Sequence, residues 1–465
     1  MFFYIFEMKL WEKGISTDKK VEQFTIGRDN ELDLQLARFD VLGTMAHITM
    51  LQKVGLLETE ELPVLLHELA QIHKQVERGE FVIEQGVEDV HSQVELMLTR
   101  KLGDMGKKVH SGRSRNDQVL VDLRLFIRHE LADMATRVAA LSTFFLQKSE
   151  EYKEVLIPGY THLQVAMPSS FGLWFGAYAE SLADDLILLQ AAHRIANQNP
   201  LGSAAGYGSS FPLDRTLTTR LLGFDDLSYN VVYAQMGRGK TEKIAAFALG
   251  SVGATLARMA MDACLFMNQN FGFITFPDNL TTGSSIMPHK KNPDVLELIR
   301  AKGNKLQGIS NDIALVMSNL PSGYHRDMQL LKEYLFPAFD ECRSIVEMME
   351  LMFTHVKVKD DIISDNRYDY LFTVETVNKL VLQGVPFRDA YKQISHEIAE
   401  GKYVPDREVQ HTHEGSIGNL CNEAIAMKVQ HVLDEFSIHS INQTLTDLLT
   451  TGTSEPDEIE RRRRP

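Results

Sequence analysis

Cysteine is nearly missing from this chain: Cys264, Cys342 and Cys421 are the only three in 465 residues, widely spaced and odd in number. That argues against a disulfide framework and a CxxC-type metal site, and it fits a reducing cytoplasm. Positive charge is also short, with 48 Lys and Arg against 63 Asp and Glu and a formal net charge of −15. Affinity for nucleic-acid backbones comes mainly from Lys and Arg, so general nucleic-acid binding is disfavoured, and an anionic substrate needs a local basic pocket. There is no P-loop or dinucleotide fingerprint; residues 202–208 are glycine-rich but lack the spacing and the preceding strand. Strand patterns are almost absent. The uncharged apolar run at 244–257 is too short to cross a bilayer and is followed by Arg258 and Asp262, so it reads as a buried helix rather than a membrane anchor.

The ends add little. Residues 1–7 are apolar and aromatic but have no basic n-region, full h-region or small-residue cleavage site, and they read as an extension before Met8. Residues 458–465 set four arginines beside acidic groups and read as a disordered tail.

Helical periodicity is what the chain does have. Apolar residues recur at helical spacing over 34–54 (Leu36, Phe39, Leu42, Ala46, Met50), 60–76 and 87–102. Long helices are predicted from Asn116 to about Lys148, from Pro168 to Asn197, from Lys240 to Asn270 and from Val295 to Leu320. Met259, Met261 and Met267 fall at core spacing in the third. The fold class is therefore all-α. Helices this long, apolar most of the way round, cannot cover one another in a small bundle, which points to oligomerisation. From about Ile362 shorter helices are separated by Gly384, Gly401 and Pro405, the pattern of a small C-terminal domain.

Three polar clusters sit at helix ends: Ser111-Gly112-Arg113-Ser114-Arg115-Asn116-Asp117-Gln118, Pro158-Gly159-Tyr160-Thr161-His162-Leu163-Gln164, and residues 282–294. Capping by Ser114 or Asn116 explains one residue of the first cluster but not its two arginines among Ser, Asn and Gln, which suit a carboxylate. His162 alone is more often structural, and as an acid or base it needs a partner to set its charge; Glu297, one turn into the following helix, is the candidate. In the third cluster Gly283 and Pro288 argue for a loop, and Asn292-Pro293-Asp294 opens a helix. A mere turn leaves Ser284-Ser285 beside Lys290 and Asn292 unexplained. A serine base needs its alkoxide stabilised, and Lys290 and Asn292 supply a cation and a donor where negative charge would develop. His411 and His413 are too isolated to propose as metal ligands, and no cofactor site is expected.

Gly283-Ser284-Ser285-Ile286-Met287-Pro288-His289-Lys290-Lys291-Asn292-Pro293 resembles the signature loop of the fumarase and aspartase superfamily, whose members eliminate fumarate from succinyl compounds. With the clusters from Ser111 and Pro158, the chain from Met8 onward is similar to the branch that cleaves argininosuccinate. Adenylosuccinate lyases usually carry Lys-Arg-Asn where this chain has Lys290-Lys291-Asn292, and the Ser111 cluster is not of the aspartase type. A non-catalytic, crystallin-like structural protein is the alternative of another class, and the intact loop residues argue against it.

The resemblance implies a three-domain protomer divided at 1–111, 112–361 and 362–465, with a central long-helix bundle. It implies a homotetramer whose active sites are each shared between three subunits, and reversible cleavage of argininosuccinate to arginine and fumarate without metal or cofactor. Ser284 would be the base, Lys290 and Asn292 would hold the aci-carboxylate intermediate, and His162, oriented by Glu297, would assist proton transfer to the departing guanidino group. Ser114, Arg115, Asn116, Thr161, Tyr324, Gln329 and Lys332 would bind substrate. The branch's N-terminal substrate-binding serine has no counterpart in Phe24-Thr25-Ile26-Gly27-Arg28-Asp29, which leaves Asp33 as the acidic contact for a guanidinium. His289 is given no role.

Overall fold

The computed structural model describes residues 18–452, so the extension at 1–7, Met8 and the tail at 458–465 lie outside the described residues. The protein is mostly helical. A short helix α1 (Lys19–Ile26) is capped by Asp18, whose side chain accepts from the backbone of Lys20 and Val21. Then come α2 (Ala37–Lys53), α3 (Glu61–Glu77) and α4 (Val90–Leu102), followed by the 37-residue α5 (Arg115–Glu151). Three further long helices, α6 (Phe171–Ala196), α7 (Lys240–Met267) and α8 (Asp294–Val316), match the predicted ones with ends shifted by a few residues. A long helix not predicted, α9 (Leu331–Thr354), completes the bundle. It contains Pro337, which reads as a breaker in sequence; burial of Leu335, Phe336, Phe339 and Cys342 around it outweighs the lost backbone bond.

The bundle packs through aromatic and small residues. Phe145, Phe175 and Phe353 meet edge-on or tilted, with Trp174 against Phe175 at 4.9 Å between ring centres. Where α7 crosses α8 the backbones touch. A methyl on Gly303 would overlap the Gly253 carbonyl, and one on Gly253 would lie 2.8 Å from the Gly303 carbonyl oxygen, so only glycine fits either position. By length and composition α7 could cross a membrane, but most of its apolar window is buried inside the protein, as expected of a core helix. Met259 is fully buried, whereas Met261 is 40% exposed, so the core reading fails for Met261 in the protomer. Ile187, Phe247, Leu298 and Leu315 are also exposed on these long helices.

Short strands are present although strand patterns are almost absent from the sequence. β1 (Leu156–Thr161) and β2 (Gln164–Ser170) form an antiparallel hairpin with an irregularity at Gly159. Pro158 and Pro168 hid it, yet a two-stranded ribbon has outer edges where a missing N–H costs little. β3 (Thr282–Gly283) pairs with β4 (Lys291–Asn292), closing the base of the loop between them.

The C-terminal region has two parts. α10 (Thr373–Leu382) and α11 (Phe387–Ala399) enclose their own small cluster of Val377, Ala390 and Ile394. α12 (Asn422–Asp434) and α13 (Ile438–Thr451) return to the main core through Ile425, Val429, Phe436 and Leu448.

Candidate active site

The first polar cluster begins α5 with a capping box. The Ser114 hydroxyl accepts from the Asn116 backbone at 3.3 Å, and Asp117 accepts from the Ser114 backbone at 2.8 Å. The other Asp117 oxygen accepts from the backbones of Gly202 and Ala204, at 3.0 and 2.9 Å, so the glycine-rich stretch is tied to the helix start. Burial pushes the Asp117 carboxyl up to about 6. Ser114 is thus engaged as a cap, while its neighbours Arg115 and Asn116 face a cavity.

That cavity collects Arg115, Asn116, Tyr324, Gln329 and Lys332, five of the predicted substrate contacts, together with Asp33. Its remaining lining is Asp29, Glu88, Asp89, His91, Val119, Arg238 and Arg326. Four acids and four permanent cations therefore share one small space, most of them already paired. Lys332 contacts Asp33 at 2.5 Å and Asp29 at 2.6 Å. Arg115 bridges Glu88 at 3.0 Å and Asp89, and Arg326 meets Glu88 at 3.0 Å. Gln329 donates to the carbonyls of Thr25 and Ile26 at 3.0 and 2.9 Å, placing the 24–29 segment beside the cavity. Burial pushes the Asp29 carboxyl above its usual range, with Lys332 opposing.

Arg238 differs from the other cations. It is 3% exposed and donates from Nη2 to the Met328 carbonyl at 2.9 Å, while Nε and Nη1 have no hydrogen-bond partner. The nearest acid, Glu242, is 3.8 Å away, and the guanidinium lies over the Tyr324 ring at 5.5 Å. Sequence reasoning missed Arg238. Its local signal, Gly237-Arg238-Gly239 before a helix, says nothing of burial.

At the back wall of the cavity His91 belongs to a buried polar cluster with Asp40 and Asp122. His91 Nδ1 is 2.7 Å from Asp40 and 3.4 Å from Asp122. The donor atoms of the three lie within 4.8 Å of one another, a spread that suits a small cation. Burial holds the Asp122 carboxyl well above its usual range, and the Arg113 guanidinium and a proton on His91 oppose the charge that remains, so the residues do not call for a metal.

The third cluster forms an exposed arch over the β3–β4 pair. The Ser284 oxygen accepts from the backbones of Ile286 and Met287 at 3.3 and 3.1 Å. Asn292 donates to the Gly283 carbonyl at 3.3 Å, Lys291 pairs with Asp278, and Asp294 holds the Thr282 hydroxyl. Lys290 makes no side-chain bond or ion pair among the described residues. Lys290, Asn292 and Glu297 line a second cavity with His289, Met267 and Asn268.

Thr161 and His162 occupy the exposed tip of the β1–β2 hairpin. His162 and Leu163 both have positive φ, 53° and 61°, a two-residue turn that normally selects Gly or Asn. Strain of this kind is held where geometry matters more than stability. No hydrogen bond or ion pair joins His162 to Glu297 within the protomer among the described residues. The predicted residues thus gather at three separate places: the cavity beside α5, the arch before α8 and the hairpin tip.

The chain is similar to known proteins in sequence and in fold. The sequence pattern of a lyase family matches residues 9–308. The argininosuccinate lyase of Parabacteroides distasonis is 62% identical over 95% of this chain and 99% of its own length. That of Thermotoga neapolitana is 39% identical over 85% of this chain and 99% of its own. Among solved structures, an EDDS lyase in complex with formate superposes with a TM-score of 0.77 at 21% identity, covering 97% of this chain and 98% of that one. A class II fumarase from Schistosoma mansoni reaches 0.68 at 16% identity, over 90% and 94%. By pattern and by identity, the chain belongs to the argininosuccinate lyase family.

Proposed function

We propose that the chain cleaves argininosuccinate reversibly into arginine and fumarate by carbon–nitrogen elimination. The carrying observation is the cavity beside α5, where four acids and four cations line one space and Arg238 keeps two buried guanidinium nitrogens without a hydrogen-bond partner. A substrate with a guanidinium at one end and carboxylates at the other suits such walls: Asp33 faces the cation, and Arg238 with Asn116 holds a carboxylate.

Ser284 removes the proton beside the substrate carboxylate. The two backbone N–H groups on its oxygen support this, because they would stabilise the alkoxide. Lys290 and Asn292 hold the resulting aci-carboxylate. As the double bond forms, the carbon–nitrogen bond breaks, and His162 delivers a proton to the departing guanidino nitrogen.

These groups lie at three places in one protomer, so the site is completed by other copies of the chain. The protomer assembles as a homotetramer with each site shared between three subunits, and the exposed Phe247, Leu298 and Leu315 on the long helices are the surface such assembly would cover. Glu297 then orients a histidine from another chain. The protomer divides at 1–111, 112–361 and 362–465, and the enzyme works in the cytoplasm, which suits its unpaired cysteines.

A fumarate absorbance assay tests the reaction. Absorbance rising with argininosuccinate, and not with adenylosuccinate or aspartate, is expected; the reverse selectivity overturns the reading. Absence of fumarate from all three would favour a crystallin-like structural role.

A further inference from the structure

We propose that the buried Asp40–His91–Asp122 cluster is a positioning device, which clamps the first turn of α4 and thereby sets Glu88, Asp89 and the two arginines they hold on the cavity wall. The inference rests on the reading of that cavity as the substrate site.

The path is continuous. Asp40 stands on α2 and Asp122 on α5, and His91 is the second residue of α4. Its ring bridges the two other helices, with the side chain 4% exposed and each carboxylate 1%. One residue before the helix, Asp89 caps α4 by accepting from the Ser92 backbone at 2.8 Å and also pairs with Arg115. Glu88 takes Arg115 and Arg326 from the other side, each at 3.0 Å. A shift of the α4 start therefore moves both arginines, and a displacement of about 1 Å in a positioning group is costly to binding and turnover.

Charge holds the clamp closed. Burial alone would drive the His91 proton off, but the hydrogen bond to Asp40 and the charges of Asp40, Asp122 and Asp33 outweigh it and bring the imidazole up to about 9. Arg113 faces both carboxylates as well as Asp117 and Glu95, and His110 faces His91 and Asp40. Lys332 engages Asp33 from the cavity side. Burial and the neighbouring Asp40 already hold the Asp122 carboxyl well above its usual range, so loss of the His91 proton removes the hydrogen bond that ties Asp40 to the ring, and the turn loosens.

The test uses the full-length enzyme and its His91→Gln and Asp40→Asn variants. Kinetics are followed by fumarate release, and argininosuccinate affinity by calorimetry, across neutral to alkaline pH. Both variants should raise KM and Kd by about tenfold near neutral pH with kcat changed by less than about threefold. In the wild type, affinity should fall as pH rises through about 9. Asp40→Asn should move that fall lower by about one pH unit or more, and His91→Gln should abolish it. Ionisation of the substrate itself is the same for every variant, so only the cluster accounts for a displacement. An unmoved alkaline limb in Asp40→Asn, or a loss confined to kcat, overturns the inference. If His91→Gln does not fold, the Asp40→Asn limb decides. A wild type that binds but releases no fumarate sinks the reading of the reaction, while the pH dependence of Kd still judges the clamp.

Discussion

Lys332 Nζ lies 2.5 Å from Asp33 and 2.6 Å from Asp29, a buried ammonium holding two carboxylates together on the cavity wall. Removing one member of a buried charge group leaves the others uncompensated, at a cost of about 3–5 kcal/mol. Lys332→Met is expected to lose about that much stability in urea unfolding and to raise KM by an order of magnitude or more. An unchanged unfolding midpoint would show that the two acids are satisfied without the lysine.

Ser284 and His162 stand at different places in one protomer, one in the arch before α8 and one at the hairpin tip. Ser284→Ala is expected to fold and assemble normally with kcat reduced about a hundredfold or more. His162→Asn should also lose activity. Mixed after mild dissociation, the two inactive variants should regain part of it, because some hybrid sites would hold both native residues. Mixtures that stay inactive at every ratio would count against sites shared between subunits.

Gly303 and Gly253 let α7 and α8 touch backbone to backbone. Gly303→Ala should destabilise by about 1–3 kcal/mol, since the added methyl meets a main-chain carbonyl that cannot rotate away. Differential scanning calorimetry reads this directly. A raised melting temperature, the usual result of Gly→Ala within a helix, would mean that the crossing is looser than described.

Asp117 gives a pH signature. Burial raises its carboxyl from 3.8 to about 6, so the folded chain keeps a proton that the unfolded chain releases. Its contribution therefore falls as pH rises between about 4 and 6, by about 1.4 kcal/mol for each pH unit crossed. His110, His129 and His193, each pushed down to about 4 chiefly by burial, tilt stability the other way over the same range. The informative quantity is the difference between wild type and Asp117→Asn, measured by denaturation at several pH values. Wild type should lose ground to the variant as pH rises, and a difference independent of pH would contradict the raised carboxyl.

Much of this was legible in the residues. A cap is read at Ser114 or Asn116 and Ser114 is the one that forms it, and the start of α8 at Asp294 follows from Asn292-Pro293-Asp294. Arg115, Asn116, Tyr324, Gln329 and Lys332, which the family resemblance assigns to substrate, line one cavity. The β1–β2 hairpin was missed because Pro158, Gly159 and Pro168 mask its alternation. α9 was missed because Pro337 interrupts it. Arg238 was missed because its distinguishing property is two buried, unpartnered nitrogens, and no local pattern encodes that.

By itself the sequence determined what short-range physics controls: helices from apolar spacing, their ends from caps and prolines, and the residue types that carry the chemistry. Tertiary structure alone decided which charges meet. Asp33 and Lys332 are 299 residues apart, and neither shows in its own surroundings that the other will neutralise it. The same holds for His91 between Asp40 and Asp122. Such pairs depend on desolvation, which is a property of the packed helices and not of any single segment. The loop around Ser284 was recognisable from its residues, but only the folded chain shows it as an exposed arch, set apart from the cavity that it is proposed to serve in another subunit.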